Sequence, residues 1–324
     1  MIYISLPDST ARNISFYLSM EEYVAKHKEE DDYFFMWQVQ PSVIFGRNQL
    51  IENEVNLSFC REHNIKTYRR KSGGGCVYAD MNNVMFSYIT KDENVNFTFN
   101  RYINMVVLVL RKLGVEAKAN GRNDIMIEDR KVSGNAFYHI PGRSIVHGTM
   151  LYDTNMINMV GSITPTDEKL LSKGVNSVRQ RIALLKDYTS VSLDEFKDFV
   201  RTNLCGKEII LSDDEILEIK EIEKEYLSNK FIYGNNPKFT VIHKRRVEGV
   251  GDFEVRLELK NDVIKEINIM GDFFIVGDID KEILARLRNV KMEREAIMKA
   301  LPERVDSIIH HLKKEILTDI IINK

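Results

Sequence analysis

The chain has 324 residues, room for one to three domains, and its 44% hydrophobic and 29% charged content is ordinary for a globular protein. With 46 basic side chains against 48 acidic ones the formal charge is −2, which excludes a nucleic-acid binder held by a broad positive field. The opening Met1-Ile2-Tyr3-Ile4-Ser5 lacks a signal-peptide pattern, and no apolar run approaches the ~20 residues needed to cross a bilayer. Cys60, Cys76 and Cys205 show no metal-type spacing, so the expectation is a reduced cytoplasmic protein with neither nucleic acid nor membrane as partner.

Taken in chain order, Asp8 or Ser9 can cap a helix that runs to about residue 27, with Ile14, Tyr17, Leu18 and Tyr23 or Val24 as its apolar stripe. Strands alternating with short turns are predicted over 33–90. A helix follows over 100–113, stopped by Gly114. Further strands reach residue 152, a short helix covers 153–159, and another spans 192–204. Ser212-Asp213-Asp214-Glu215 is a capping box opening a charged helix to about 227. The pattern is that of an α+β protein, a mixed sheet with helices segregated to its faces.

Residues 228–250 gather turn formers, among them Gly234-Asn235-Asn236-Pro237, and the basic cluster His243-Lys244-Arg245-Arg246. They read as a solvated linker between one domain over 1–245 and a second over 251–324. In the second, strands are predicted at 251–259 and 263–269 around a Lys260-Asn261-Asp262 turn. A third strand is expected at 273–276, with helices near 281–288 and from 303 onward.

Two stretches carry chemistry. In Arg69-Arg70-Lys71-Ser72-Gly73-Gly74-Gly75-Cys76-Val77-Tyr78-Ala79-Asp80, three glycines let the backbone approach a ligand, and the cations before them point to an anion. The glycines lie between strands, without the spacing of a P-loop or a dinucleotide fingerprint; an ordinary hairpin turn is the alternative. The second stretch reads as a hairpin, with Asp124 to Ile127 on one strand, a turn at Glu128-Asp129-Arg130, and Lys131 to Phe137 returning. Strict alternation places Lys131, Ser133 and Asn135 on one face, able to grip a carboxylate or phosphate, unless that face is simply solvated.

Together these stretches resemble the lipoate–protein ligases, in the same superfamily as the biotin–protein ligases. The segment from Trp37 through Pro41-Ser42-Val43-Ile44-Phe45-Gly46-Arg47-Asn48-Gln49 is similar to the family's early W…PSVVIGRNQ motif. The glycine loop with Asn83 resembles RRxSGGGxVxxD…N, and Asn123-Asp124-Ile125 with Arg130 to Ala136 resembles NDI…RKxSGNA. His147-Gly148-Thr149-Met150-Leu151 is similar to the HGTLL strand, and Lys173-Gly174-Val175-Asn176-Ser177-Val178-Arg179 to KGVxSVRxR. The likeness covers roughly residues 1–190.

What the resemblance implies is a class-II-synthetase-like biotin/lipoate ligase catalytic domain with a small C-terminal α/β accessory domain. The implied activity is ATP-dependent. Lipoate is activated to lipoyl-AMP with release of pyrophosphate, and the lipoyl group then passes to a lysine of a lipoyl domain. Acceptors would be 2-oxoacid dehydrogenase E2 subunits or the glycine-cleavage H protein. Lys131 matches the catalytic lysine, a point charge bridging carboxylate and α-phosphate oxygens. Arg70, Gly75, Cys76, Val77, Tyr78, Lys131 and Asp124 match positions that meet ATP or adenylate. Gly73, Gly74, Gly75, Asn83, Lys131, His147 and Gly148 match those that meet lipoate. Mg²⁺ is expected with the ATP phosphates, Asp124 being its one plausible ligand. Trp37, Val43, Val77 and Phe86, with His147 at the floor, are candidate linings of the acyl slot, and core packing is the alternative for each. Cys76 stands where the family more often has alanine. A cysteine nucleophile would suit an ATP-independent octanoyl or lipoyl transferase, but the transferases place theirs in a segment corresponding to 113–124, which has none; Cys76 reads as a small packing residue. A biotin ligase fits the motifs less well, and a non-catalytic binding module would not need Lys131.

Overall fold

The computed structural model describes residues 1–28, 31–91, 94–163, 178–234 and 239–323. They form two compact units. The first comprises residues 1–45, 52–70 and 76–232; the second comprises 46–51, 71–75 and 233–324.

In the first unit, strands β1 (Ile2–Ser5), β2 (Tyr33–Trp37), β6 (Val84–Thr90), β7 (Ala117–Ala119), β8 (Asp124–Ile127), β9 (Arg130–Ile140), β10 (Arg143–Met150) and β11 (Lys207–Ile210) make one sheet. Its eight strands run in the order β11-β1-β2-β6-β10-β9-β8-β7. β1 lies parallel to both its neighbours, while β6, β10, β9 and β8 pair antiparallel, so the sheet is mixed as expected. A smaller sheet holds β4 (Lys66–Arg69), β3 (Ser42–Phe45) and β5 (Val77–Ala79), in that order. The helix α1 (Ile14–His27) buries Phe16, Leu18, Met20 and Tyr23 in the same core as Tyr33, Phe35 and Trp37 of β2. Every residue of β10 is buried, because helices cover both faces of the sheet there.

Helix ends follow local chemistry. Ser192 and Ser212 form complete capping boxes with Glu195 and Glu215, opening helices Leu193–Leu204 and Asp213–Tyr226. The first helix departs from expectation, beginning at Ile14 rather than near Asp8. The Asp8 carboxylate instead accepts from the Thr10 amide at 2.7 Å and from the Arg12 guanidinium, closing a turn of its own. The helix Val95–Lys112 likewise starts earlier than predicted, where the Asn94 side chain accepts from the Phe97 amide, and it ends at Gly114 with φ +87°. Short helices Ile51–Glu54 and Leu57–Glu62 interrupt a stretch read as strand and turn; Asn56 caps the second of them.

The second unit has a three-stranded sheet, β12 (Val241–Val247), β13 (Gly251–Lys260) and β14 (Val263–Gly271), in chain order. Asn261 and Asp262, with φ 53° and 56°, close the β13–β14 hairpin at the turn the sequence indicates. The basic cluster at 243–246 is not a linker. It lies in β12, where Lys244 and Arg246 face Glu254 and Asp252 across the ladder at 3.0 and 3.1 Å. Alternating Val241 and Val247 pack against the unit's core, a weak apolar signal that the charges conceal. Nor is 273–276 a strand, since Ile275 makes only an isolated bridge to Ile309. Helices Arg294–Ala300 and Lys314–Ile322 complete the unit.

Candidate active site

The β8–β9 hairpin turns at Glu128 and Asp129, whose φ values of 49° and 61° let a two-residue loop match the twist of the strands. Its register is irregular. Asp124 faces Gly134 and Ile125 faces Ser133, but Met126 faces Lys131, so Val132 is an extra residue, a β-bulge. The bulge breaks strict alternation and places Lys131 on the face of Gly134 and Asp124. Ser133 and Asn135 lie on the opposite face, so the expected grouping of Lys131 with them is overturned.

On its own face the Lys131 ammonium lies 2.7 Å from Asp124 Oδ1. That ammonium is the partner of Asp124 Oδ1 on this face. The Lys131 main chain is fixed on both sides: its N–H donates to Arg181 O and its carbonyl accepts from Ala183 N–H, each at 2.8 Å. The ammonium borders a cavity of about 370 Å³. Cys76, Val77 and Tyr78 line it from the glycine-loop side, and Gly134, Thr149 and Leu151 line its sheet wall. Met159, Val160 and Ile163 close a further side, from the helix Met156–Ser162 and its C-cap, together with Val178 and Ile182. The volume falls within the range of small-molecule pockets, and among the described residues the lining is mostly apolar with Lys131 as its one cation, suited to an apolar acid.

Residues 13–205, more than half of the chain, match the family described as "Lipoyl protein ligase A/B catalytic domain". The chain belongs to the lipoate–protein ligase family. Residues 236–321 match the description "Bacterial lipoate protein ligase C-terminus". The lipoate–protein ligase LplJ of Bacillus subtilis is 37% identical over 296 residues, covering 88% of this chain and 89% of that protein. Among solved structures, Plasmodium falciparum LipL1 in complex with lipoate has a TM-score of 0.77 at 22% identity, covering 100% of this chain and 98% of that one. A bipartite lipoate–protein ligase of Thermoplasma acidophilum, described with its E2 lipoyl domain, gives 0.65 at 26%, covering 74% and 98%. The fold is that of the lipoate–protein ligase catalytic domain with its C-terminal companion.

Of the residues singled out in this ligase, Cys76, Val77, Tyr78 and Lys131 meet around the cavity, with Asp124 against the lysine. Arg70 is buried beside β3, where Nη1 donates to Ile44 O at 3.2 Å; burial lowers its pKa to about 10, which leaves it cationic at neutral pH. Cys76 is half-buried at the cavity wall; desolvation by the protein around it, with Glu54 adding to it, pushes its thiol above the ordinary range. Asn83 lies away from the cavity lining; its Nδ2 donates to Thr154 Oγ1 at 3.1 Å, and Asp80 accepts from the Asn155 amide at 3.0 Å. These bonds tie the turn after β5 to the cap of the helix that lines the cavity.

His147 turns toward α1, its Nδ1 2.9 and 3.1 Å from the two oxygens of Glu21, which is fully buried. Ser87 Oγ donates to the same carboxylate at 2.5 Å and itself accepts from Trp37 Nε1 at 2.9 Å. Gly148 lies on the face of Asn135, whose Oδ1 would stand 1.9 Å from an added Cβ. Trp37 stacks on Tyr17 with centroids 4.9 Å apart, and Val43 and Phe86 are buried in packing; of the proposed acyl-slot residues only Val77 reaches the cavity.

The three glycines of the loop differ. A Cβ at Gly73 would lie 2.4 Å from the Phe273 carbonyl oxygen. Gly74 has φ +85° and donates to the same carbonyl at 3.2 Å. Around Gly75 an added Cβ would meet nothing within 4 Å among the described residues. Residues 173–177 of the last motif lie outside the described residues. The sequence reading missed Met159, Val160 and Ile163, although with Met156 they make an i, i+3, i+4, i+7 apolar stripe that could have marked a helix with a face to bury.

Proposed function

We propose that this ligase activates lipoate with ATP and transfers the lipoyl group to a lysine of an acceptor lipoyl domain. A lipoate carboxylate oxygen attacks the α-phosphorus, the bond to the leaving pyrophosphate breaks, and lipoyl-AMP forms. The acceptor's ε-amine then attacks the acyl carbon and AMP departs. The observation that carries this reading is one cation, Lys131, at the wall of an apolar cavity. The apolar tail of lipoate would occupy the cavity, with its carboxylate at Lys131. There the ammonium would neutralise the charge that carboxylate and phosphate bring together. Arg70, Gly75, Cys76, Val77 and Tyr78 are assigned to the adenylate. By motif position Gly73, Gly74, Asn83, His147 and Gly148 are assigned to the lipoate side; none of the five lines the cavity, so their part there is to hold the surrounding strands and loop in place.

Among the described residues no group of three or more His, Cys, Asp or Glu side chains could hold a metal ion. Mg²⁺ arriving with ATP keeps most of its water and needs few protein oxygens. Asp124, the carboxylate beside Lys131, is assigned as that single ligand. The pairing of the T. acidophilum ligase with an E2 lipoyl domain supports a lipoyl domain as acceptor, here an E2 subunit or the glycine-cleavage H protein. No helix of the described residues is long and apolar enough to cross a membrane, which is compatible with work in the cytoplasm.

One observation favours a second reading. Cys76 and Lys131 share the cavity, as an acyl-thioester transferase would require. The raised thiol pKa weighs against it, because the thiolate is the nucleophile. Incubating the protein with lipoate, Mg·ATP and apo-acceptor domains, and reading pyrophosphate and intact masses, separates the two. The ligase releases pyrophosphate and lipoylates the acceptor. Acyl transfer from an octanoylated carrier without ATP, through an adduct on Cys76, would replace the first reading with the second.

A further inference from the structure

Gly134 lies inside a strand, paired with Asp124 on one side and Thr149 on the other. Its φ is not among the positive values, so neither a turn nor a left-handed backbone calls for glycine there. Glycine in a strand interior weakens the strand and often marks a close approach by another group. Here the approaching group is the Lys131 side chain: a Cβ on residue 134 would stand 2.6 Å from both Cε and Nζ of Lys131. On its other side the ammonium meets Asp124, and that carboxylate is held in turn. Asn120 Nδ2 donates to Asp124 Oδ2 at 3.1 Å, leaving Oδ1 toward the lysine. Asn120 Oδ1 accepts from the amides of Arg122, Asn123 and Asp124 at 2.9, 3.2 and 3.0 Å, which locks the turn.

We propose that Gly134 and the Asn120–Asp124 pair form a seat for the Lys131 ammonium, and that Gly134 is a positioning residue for acyl activation. The inference rests on the reading of Lys131 as the activating cation. The bulge at Val132 brings the lysine to this face, the missing side chain at 134 gives it room, and the carboxylate fixes its end. A methyl group at 134 would meet only the movable end of a flexible side chain, so the strand can accept it while the ammonium cannot stay.

The test compares Gly134→Ala, Lys131→Ala and the double variant. Gly134→Ala should fold, and the ¹⁵Nζ signal of Lys131 should shift as the ammonium leaves Asp124. Its lipoate-dependent pyrophosphate release should fall by about 100-fold, the loss that an ~1 Å misplacement can produce. That loss should fall mainly on kcat rather than on KM for lipoate, because one methyl at the wall displaces the charge but leaves the apolar lining of Val77, Leu151 and Ile163 in place. In the Lys131→Ala background, Gly134→Ala should change neither the residual rate nor the melting temperature, since nothing remains to collide. If Gly134→Ala alone does not fold, folding of the double variant still identifies the lysine as the obstacle. A wild-type rate and ¹⁵Nζ signal in Gly134→Ala would overturn the seat. So would an equal loss in both backgrounds, or failure of both variants to fold. Full activity of Lys131→Ala would instead overturn the underlying reading of Lys131, and the ¹⁵Nζ shift would then decide the seat alone.

Discussion

Replacing His147 with phenylalanine should destabilise the first unit by about 1–3 kcal/mol, the usual loss when a buried polar group is left without one of its hydrogen-bond partners. The structure supplies the reason. Glu21 is fully buried, and with His147 gone, Ser87 would be its remaining donor among the described residues. Glu21→Gln keeps an acceptor and adds a donor, and should cost about 1–2 kcal/mol, one hydrogen bond's difference. The double variant loses the shared contact once rather than twice, so its loss should fall short of the sum by about 1 kcal/mol. At about 2–4 °C per kcal/mol, His147→Phe should melt roughly 5 °C below the parent chain. Thermal melts and urea titrations of the four proteins read this directly. Additive losses, or single variants melting with the parent, would refute a coupled buried pair. The lipoate KM of the folded His147→Phe protein tests the separate assignment of His147 to the lipoate side, which a purely structural role leaves unchanged.

Other outcomes follow from the same geometry. Lys131→Ala should lose at least about 100-fold in pyrophosphate release while melting within a few degrees of the parent, because the side chain is a partly exposed cation rather than core. Cys76→Ala should keep most of its ligase activity, and Cys76 should be alkylated far more slowly than an exposed thiol at mildly alkaline pH. The sign for stability follows from proton binding: the folded state keeps the Cys76 proton where the unfolded chain releases it. Stability should therefore be undiminished below the ordinary thiol range and fall as pH rises above it. Comparing urea midpoints at about pH 7.5 and about pH 9.5 should show a smaller drop in Cys76→Ala, and equal drops would contradict the assignment. Gly73→Ala should cost about 1–3 kcal/mol, because its methyl meets a backbone carbonyl that cannot step aside. Gly75→Ala should melt with the parent, and a loss of activity confined to that variant would mark a ligand contact.

Much of the fold was legible because local rules act there without competition. Ser192-x-x-Glu195 and Ser212-x-x-Glu215 became helix caps, and Asn261-Asp262 became a hairpin turn. The departures came where a residue had two uses. Asp8 could cap a helix or bind Arg12, and its near neighbour won. His243-Lys244-Arg245-Arg246 looked like solvated linker because cross-strand carboxylates lie in a different segment of the chain. At the site, Lys131 and the loop residues Cys76 to Tyr78 were readable from motif order. The face Lys131 occupies was not, since a single unpaired Val132 shifts the register and no residue type announces a bulge. His147 was readable as a motif residue, but its partner Glu21 carries no pattern beyond a carboxylate on an apolar helix face.

The composition of the second unit has a consequence for how the chain is made. Its pieces leave the ribosome at widely separated times, residues 46–51 and 71–75 early and residues 233–324 last. Until then the Gly74 amide lacks the Phe273 carbonyl, and the carbonyl of Asn48 lacks the Gly271 amide it finally accepts from. The glycine loop therefore cannot reach its mature hydrogen bonding until residues 271–273 have been made. Emergence of residues 271–273 becomes the event that finishes the loop, so a product ended before them would carry every residue of the motif and yet hold it unfinished.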